Sequence, residues 1–386
     1  MTGVRVSSRW TDDVLDRMRG VGDEVADEPV RELLARGGLD EINALMSTLI
    51  RVRQPVPAEL PNELEAYLGR TLALPDWADP AKIERGQVLF EEWWPQITLC
   101  LFCGSLPASY AAANGVAVLD RTAELERRTT RKRRITETGL FLVDACYVGG
   151  LGEDGAGLRT IQKVRLMHAA VRQLIKSRAQ QDPRVWNFDT HGEPINQEDL
   201  AGTRLVFAAA VVEFLPRLGF RMSPDDVDAY LHLWNVIGHL MGVDDELLVH
   251  DRDDAFALAD AIRVRQYSRS DPGIRMTKAL LEFLYEITPG RLDHAFYPAL
   301  IRHLITDEVA DMLCVPSSSL VDDLGRLTRL VDWLLVHVFR RPDRVPRVAR
   351  KISRQVLRQM LREQHRGERP PFAIPDQLAK KWNLGV

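Results

Sequence analysis

The amino-acid sequence predicts an all-α protein. Apolar residues recur at spacings of three and four along most of the chain, whereas no stretch shows sustained two-residue alternation or regularly spaced hairpin turns. One helix start is clearly marked, because Ser223 occupies a cap position, Pro224 the first helical position, and Asp225 and Asp226 the first turn. These patterns together favour helices over strands.

Long helices are expected along the chain. One is predicted over residues 80–106, whose later half is apolar on all sides, and another begins near Gln197 and continues through the next apolar run. Residues 1–59 are predicted to form an N-terminal helical extension and Pro-rich connector, 60–330 the main functional domain, and 331–386 C-terminal helices and a tail packed on that domain.

Composition and charge indicate an ordinary globular protein. With 45% hydrophobic residues the chain can bury a core, and a net charge of −4 gives no general reason to bind nucleic acid or an anionic membrane. The N-terminus lacks the apolar core of a signal peptide, and no window approaches about 18 uncharged apolar residues. We therefore expect a cytoplasmic protein without an integral membrane segment.

Common motifs of several enzyme classes are absent from the sequence. It contains no GxGxxG, GxxxxGK[ST] or HExxH, and no GxSxG in a plausible context. Cys100 and Cys103 form a CxxC, but no second pair or nearby histidine completes a zinc site, so they are interpreted as buried apolar residues. The candidate chemistry must come from other residues.

One predicted helix, over residues 157–178, carries a single histidine on an apolar face. At helical period, Val164, His168 and Val171 share that face, and a polar ring placed there needs a partner. Two interpretations remain open. Spacing alone favours a core histidine bonded to a backbone carbonyl, and the alternative is a ligand of a metal or cofactor.

Other polar groups recur at helical spacing. Arg165 and Arg172 lie three residues before and four after the histidine, close enough to flank whatever it meets. Arg134, Glu137 and Thr138 lie at i, i+3 and i+4 just before an apolar run. The last three can present a joint polar site, or they can form an exposed first turn with an internal Arg–Glu pair.

Two further histidines, His232 and His239, lie on nearly the same face of one predicted helix. They are seven residues apart, which places them about 10 Å apart along the axis. This separation is too large for both to chelate one metal ion from a straight helix. They are therefore predicted to be separate hydrogen-bonding groups.

Three segments carry a family resemblance: RLMHAAVR, SPDDVDAYLHLWNVIGHLMGV and YPALIRHLITDEVADMLCVP. In this order, they resemble the latex clearing protein (rubber oxygenase) family and its wider MpaB-type oxygenase relatives, over residues 60–330. The resemblance implies an all-α protein with a globin-like core enlarged by additional helices. It also implies one bound b-type haem, so residues 60–330 would be a haem-binding oxygenase domain.

The resemblance assigns roles to individual residues. The histidine of the matched RLMHAAVR helix, here His168, corresponds to the family's proximal haem ligand. Arg165 and Arg172 match the flanking arginines, and Arg302 matches a third family arginine. Guanidinium groups suit the two haem propionates because they can bind carboxylates bidentately.

The remaining matches concern the surroundings of the haem. His232 and His239 match two family histidines that are expected to support the haem site rather than ligate iron. On the distal side, Arg134 and Thr138 match the family's Arg-x-x-Lys-Thr pattern, but Glu137 replaces the lysine of rubber-cleaving members. Glu137 is a candidate base for an allylic proton. This replacement and the missing export signal both argue against polymeric rubber as the substrate.

The sequence thus leads to a functional hypothesis with alternatives. The hypothesis is a haem b-dependent oxygenase that uses O2 for oxidative C=C cleavage, or a related oxidation, of a small hydrophobic substrate, with isoprenoids among the options. One alternative is a haem protein with a peroxidase-like or sensor role. Another is a non-catalytic helical protein that binds a lipid or a partner helix. The sequence leaves the substrate, the distal ligand and the oligomeric state open.

Overall fold

The structure is a computed structural model that describes residues 9–36, 62–121, 138–152, 155–287 and 294–317. These ranges contain helices and no named strand, and Ala112 and Tyr267 form one isolated antiparallel bridge. The all-α prediction is therefore confirmed for the described residues, and the finer globin-like comparison stays a prediction. The α-helices are α1 (Asp12–Arg19), α2 (Glu24–Arg36), α3 (Asn62–Arg70), α4 (Pro80–Glu92), α5 (Trp94–Cys100), α6 (Leu106–Ala111), α7 (Ala113–Arg121), α8 (138–146), α9 (Ala156–Gln181), α10 (Phe188–His191), α11 (Gln197–Phe207), α12 (Ala209–Arg217), α13 (Pro224–Leu240), α14 (Arg252–Gln266), α15 (Asp271–Ile287), α16 (Phe296–Ile305) and α17 (Asp307–Met312).

Helix α9 is the 26-residue element that carries His168. One side of it packs on α2, where Leu166, Ala170 and Leu174 join a small apolar cluster with residues of α2 and α3. Another side contributes Ile161 and Val164 to the main core. Because it has core on two sides, α9 is buried along most of its length and divides the two clusters.

Helix α13 begins as the sequence predicts. Ser223 accepts a hydrogen bond from the backbone N–H of Asp226 through its hydroxyl oxygen, at 3.2 Å, and Pro224 follows at the first helical position. Asp225 and Asp226 lie in the first turn, where their negative charge favours the positive end of the helix dipole. The helix then packs along α4, with Leu233 and other apolar residues fully buried.

The predicted continuous helix over residues 80–106 is wrong, because the chain breaks at Trp93 and forms a π-helix over Leu101–Ser105. A Cβ added at Gly104 would lie 2.4 Å from the Phe214 ring, so α12 packs directly on the backbone there. The Ser105 hydroxyl donates to the carbonyl of Val206. The π-helix is therefore packed closely against α11 and α12. The spacing of apolar residues within one segment does not reveal such contacts.

The second predicted long helix is also interrupted. It begins at Gln197 as expected, capped by Asn196, but ends at Phe207, and α12 begins at Ala209. Ala208 adopts φ −99° and ψ −81°, outside the ideal helical values. The break changes the direction of the chain between α11 and α12, and residues of both helices line the cavity described below.

The N-terminal helices belong to the same packed body as the rest. Leu15 and Met18 of α1 are fully buried in the main core, and the Trp10 indole N–H donates to the carbonyl of Glu246 at 3.1 Å. The predicted domain boundaries stay a prediction. In the described part of the chain, no helix has the length and apolar run needed to cross a membrane.

Candidate functional site

A largely apolar cavity of about 490 Å³ lies among helices α5 to α9 and α11 to α14. Its volume falls within the range of roughly 300–1,000 Å³ that is usual for small-molecule and cofactor sites. Phe207 and Trp234 form a flat aromatic wall, stacked at 5.3 Å between ring centroids and 13° between planes. The cavity therefore suits a ligand with a large apolar body.

His168 lies on the wall of this cavity. Its imidazole is half-buried, and Val164, Met167 and Val171 of the same helix line the cavity beside it. This placement satisfies the geometric condition of the ligand interpretation, since a ring nitrogen can reach a group held in the cavity. No three His, Cys, Asp or Glu side chains in the described ranges are arranged to hold a metal ion together.

Arg165 and Arg172 lie on the other flank of α9 and do not line the cavity. Arg165 forms a two-point ion pair with Asp23, at 2.6 and 2.8 Å, and donates to the carbonyl of Leu240 at 3.2 Å. Arg172 is fully buried and pairs with Asp27. Both guanidinium groups are thus engaged away from the cavity, and a role in binding propionates would require these pairs to open.

Arg172 also binds the loop that precedes α11. Its Nε donates to the carbonyl of Pro194 and its Nη2 to the carbonyl of Ile195, each at 2.9 Å. Burial raises the pKa of Asp27, and the adjacent Arg172 opposes that rise. In this structure the two arginines join α2, α9 and the 194–195 loop.

Arg302 is likewise engaged outside the cavity. It donates to Asp307 at 2.8 Å and Asp311 at 2.5 Å, and to the carbonyls of Val315 and Pro316 at 2.8 and 3.2 Å. These contacts hold the turn around α17 to the end of α16. As with Arg165 and Arg172, its predicted cofactor contact stays a prediction and receives no support from this geometry.

His232 and His239 lie on a face of α13 that does not line the cavity. Trp77 packs edge-on against both rings, at 5.8 Å from each centroid. His232 accepts a hydrogen bond from the backbone N–H of Asp79 at 2.9 Å, and His239 Nδ1 lies 2.9 Å from Asp245 Oδ1. The two rings thus have separate hydrogen-bond partners, and their predicted support of the haem site stays a prediction. Burial lowers the pKa of His232.

The predicted distal residues are only partly described. Thr138 is the first residue of the described part of α8 and lines the cavity, which places its hydroxyl near the ligand space. Arg134 and Glu137 lie outside the described residues, so their predicted roles remain predictions. Of the six other predicted site residues, His168 is the one that lines the cavity.

Arg204 of α11 is a cavity residue that the sequence analysis missed. It is 4% exposed, donates to the Asn235 side-chain oxygen and, at 3.0 Å, to the carbonyl of Leu247, and has no carboxylate partner among the described residues. Burial lowers its pKa to about 9. A signal was present, because Arg204 lies on an apolar helical stripe with Leu200 and Ala208, as His168 does on its own helix.

Acidic residues at the start of α11 form another part of the cavity wall. Glu198 and Asp199 both pair with Arg19, at 3.0 and 3.2 Å, and Arg265 donates to Glu198 at 3.0 Å. Burial raises the pKa of Asp199 to about 6, because desolvation outweighs the attraction of Arg19 and Glu198 adds repulsion. This part of the wall is polar, and the negative charges of its carboxylates are balanced by the neighbouring arginines.

Comparison with known proteins places the chain in a family. A family model described as ER-bound oxygenase mpaB/B'/Rubber oxygenase, catalytic domain, matches residues 93–373, more than half of the chain. The chain is 28% identical over 330 residues to the rubber oxygenase of Streptomyces sp. (strain K30), covering 83% of this chain and 76% of that protein. It also resembles the solved structure of latex clearing protein in the closed state, with a TM-score of 0.73 and 27% identity over 93% of this chain and 95% of that one. The predicted resemblance is confirmed, and the chain belongs to the MpaB/rubber oxygenase family of oxygenases.

Proposed function

We propose that this protein is a haem b-dependent oxygenase that uses O2 to cleave, or otherwise oxidise, a C=C bond of a hydrophobic substrate. The observation that carries the proposal is the position of His168, an imidazole on the wall of a large apolar cavity. Family membership supports oxygenase chemistry, and the name of one relative, rubber oxygenase, supports an isoprenoid-like substrate.

The residues present fit a haem. The cavity volume of about 490 Å³ and the flat Phe207–Trp234 wall suit a planar apolar macrocycle. His168 would be the side chain that holds the haem, since haem proteins of several classes bind their iron through an imidazole. When bound, the haem would supply the redox-active iron that reaction with O2 requires.

The protein's own groups would then orient the substrate and keep water away. Leu101 and Phe102 of the π-helix, with Phe207 and Trp234, surround the ligand space with apolar surface that favours an alkene chain. Thr138 offers a hydroxyl at the cavity wall. Removal of an allylic proton is assigned to Glu137 on the family resemblance alone.

The overall reaction balances without an external reductant. Cleavage of one C=C bond by one O2 gives two carbonyl groups, each of which contains one of the two oxygen atoms. A mono-oxygenation of the same substrate would need two further electrons from a donor. The distribution of oxygen atoms in the products therefore distinguishes cleavage from the related oxidation.

The test is incubation of the full-length, haem-loaded protein with isoprenoid alkenes of increasing length under ¹⁸O2, followed by mass spectrometry. We expect two carbonyl fragments, each with one ¹⁸O, and no fragments with His168→Ala. His250→Gln is the matched control, because His250 is exposed and does not line the cavity, and it should retain cleavage. Haem-loaded protein that consumes no O2 with any alkene would contradict the proposal and favour a sensor or binding role.

A further inference from the structure

Three arginines of the described residues line the cavity, and they differ in their partners. Arg217 pairs with Glu213, and Arg263 pairs with Asp260 at 2.8 Å. Both side chains are partly exposed, at 30% for Arg217 and 41% for Arg263. Arg204 is buried and has no carboxylate partner in the described part of the structure. Among these three cavity arginines, Arg204 is the one whose charge is left uncompensated.

The surroundings of Arg204 fix the guanidinium group without neutralising it. Its two hydrogen bonds go to neutral acceptors, the side-chain oxygen of Asn235 and the carbonyl of Leu247. Its Nε is buried and has no hydrogen-bond partner in the described structure. Asn235 is itself held by Val249, since its side-chain amide donates to the Val249 carbonyl and its oxygen accepts from the Val249 N–H at 3.3 Å.

Helix α13 makes room for the arginine at one position. A Cβ added at Gly238 would lie 2.4 Å from Cδ of Arg204, so any other residue would displace the side chain. Asn235, one turn earlier on the same helix, accepts the guanidinium hydrogen bond. A buried charge that is held this closely, and yet unpaired, is costly to the folded protein unless a ligand compensates it.

We propose that Arg204 binds the carboxylate of an otherwise apolar ligand in this cavity. The ligand class is an amphipathic molecule whose apolar body lies along the Phe207–Trp234 wall and whose anionic end lies at Arg204. Two sources share this chemistry: a haem propionate, or a carboxylate on the substrate or product. The first source rests on the proposed function, whereas the second holds for the cavity with or without haem.

Comparison of acids with their esters tests the proposal directly. Haem-free full-length protein is titrated with hemin and with hemin dimethyl ester, and separately with palmitate and methyl palmitate. Binding is followed by absorbance for the hemins and by tryptophan fluorescence for the lipids. For at least one pair, wild-type protein should bind the acid about tenfold more tightly than the ester, because a charge-assisted hydrogen bond is lost in the ester.

The variants assign that preference to Arg204. Arg204→Met should reduce the acid-to-ester ratio to near one, and Arg204→Lys should retain part of it because the charge remains. Arg263→Met is the matched control, since that cavity arginine already has a carboxylate partner, and it should keep the full preference. If Arg204→Met does not fold, Arg204→Gln replaces it, because glutamine keeps an amide donor without the charge.

The outcomes separate the two sources and the two proposals. A preference confined to hemin identifies the propionate as the ligand, and one confined to palmitate identifies a substrate carboxylate. No hemin binding, together with an Arg204-dependent preference for palmitate, would contradict the haem function and leave the Arg204 proposal intact. Equal binding of acid and ester in both pairs, or a preference that survives Arg204→Met or Arg204→Gln, overturns the proposal.

Discussion

Buried arginines have different partners on the two sides of this molecule, the α2 side of α9 and the cavity side. On the α2 side of α9, Arg165 and Arg172 each meet a buried carboxylate and backbone carbonyls. On the cavity side, Arg204 meets neutral acceptors only. Removing one partner of a buried ion pair is strongly destabilising, so the paired arginines hold helices together, whereas the unpaired Arg204 is the proposed binding site for an anionic ligand. The comparison therefore separates the scaffold from the candidate site.

The largest expected effect comes from removing Arg172, one partner of the buried ion pair on the α2 side. Arg172→Met leaves Asp27 and two carbonyls without their partner in the core, so we expect the free energy of unfolding to fall by about 3–5 kcal/mol. Equilibrium urea denaturation measures this loss. The control is Arg184→Met, whose pair with Asp182 is exposed to solvent, so its loss should change the free energy of unfolding little. A loss for Arg172→Met no larger than the control would show that the pair does not hold α2 to α9.

A methyl group at Gly238 would disturb the cavity side. Gly238→Ala places a Cβ 2.4 Å from Cδ of Arg204, so overpacking should lower the free energy of unfolding by about 1–3 kcal/mol and weaken carboxylate binding. The control is Gly69→Ala on α3, where an added Cβ meets nothing within 4 Å. That change should stabilise the protein by about 0.5–1 kcal/mol. Gly238→Ala with unaltered denaturation and ligand binding would contradict the close contact.

Asp199, one of the acidic residues in the cavity wall, can be tested through the pH dependence of stability. Because burial raises the pKa of Asp199 from 3.8 to about 6, the folded protein holds that proton more tightly than the unfolded chain does. The contribution of Asp199 to stability is therefore greatest below the lower value and is lost as pH rises through the higher one. As pH rises across this interval, the free energy of unfolding of Asp199→Asn should increase by about 2–3 kcal/mol relative to that of wild type. Parallel stability curves from pH 4 to 7 would contradict the shift.

The smallest stability effect is expected at Arg204. In haem-free protein, Arg204→Met removes an uncompensated charge and two hydrogen bonds together, so the free energy of unfolding should change by no more than about 1 kcal/mol. Urea denaturation at low ionic strength measures it beside Arg172→Met. A loss as large as that of Arg172→Met would indicate a structural role for Arg204 and would remove the contrast between the two flanks.

Much of the helical organisation could be predicted from sequence. The Ser223 cap and the start of α11 at Gln197 follow from local chemistry that acts within a few residues, and they were predicted correctly. The breaks at Trp93 and Ala208 were not predicted. The break at Trp93 has a local cause that the sequence analysis missed, because Pro95 lies at the start of the next helix and cannot continue the preceding one. The π-helix instead includes Gly104, where the Phe214 ring packs directly on the backbone, and periodicity within one segment contains no information about such a contact.

The candidate site was predictable in part for the same reason. At about 100° per residue, Val164 and Val171 lie roughly 40–60° to one side of His168, and Arg165 and Arg172 lie as far to the other. Spacing correctly grouped all five residues, but it could not tell which side faces the cavity. The partner of Arg165, Asp23, is 142 residues away in sequence, so the ion pair that directs this arginine away from the cavity becomes visible only in the fold.

The central claim is that His168 is the axial ligand of a haem held in the apolar cavity. Its most direct test is the absorption spectrum of full-length protein purified from haem-replete cells, before and after reduction with dithionite, for wild type and His168→Ala. We predict a Soret band in the wild type that is lost or strongly shifted in His168→Ala and unchanged in His250→Gln, whose histidine is exposed and does not line the cavity. A wild-type protein that is colourless and stays so after addition of hemin, or a His168→Ala spectrum identical to that of wild type, would contradict the claim.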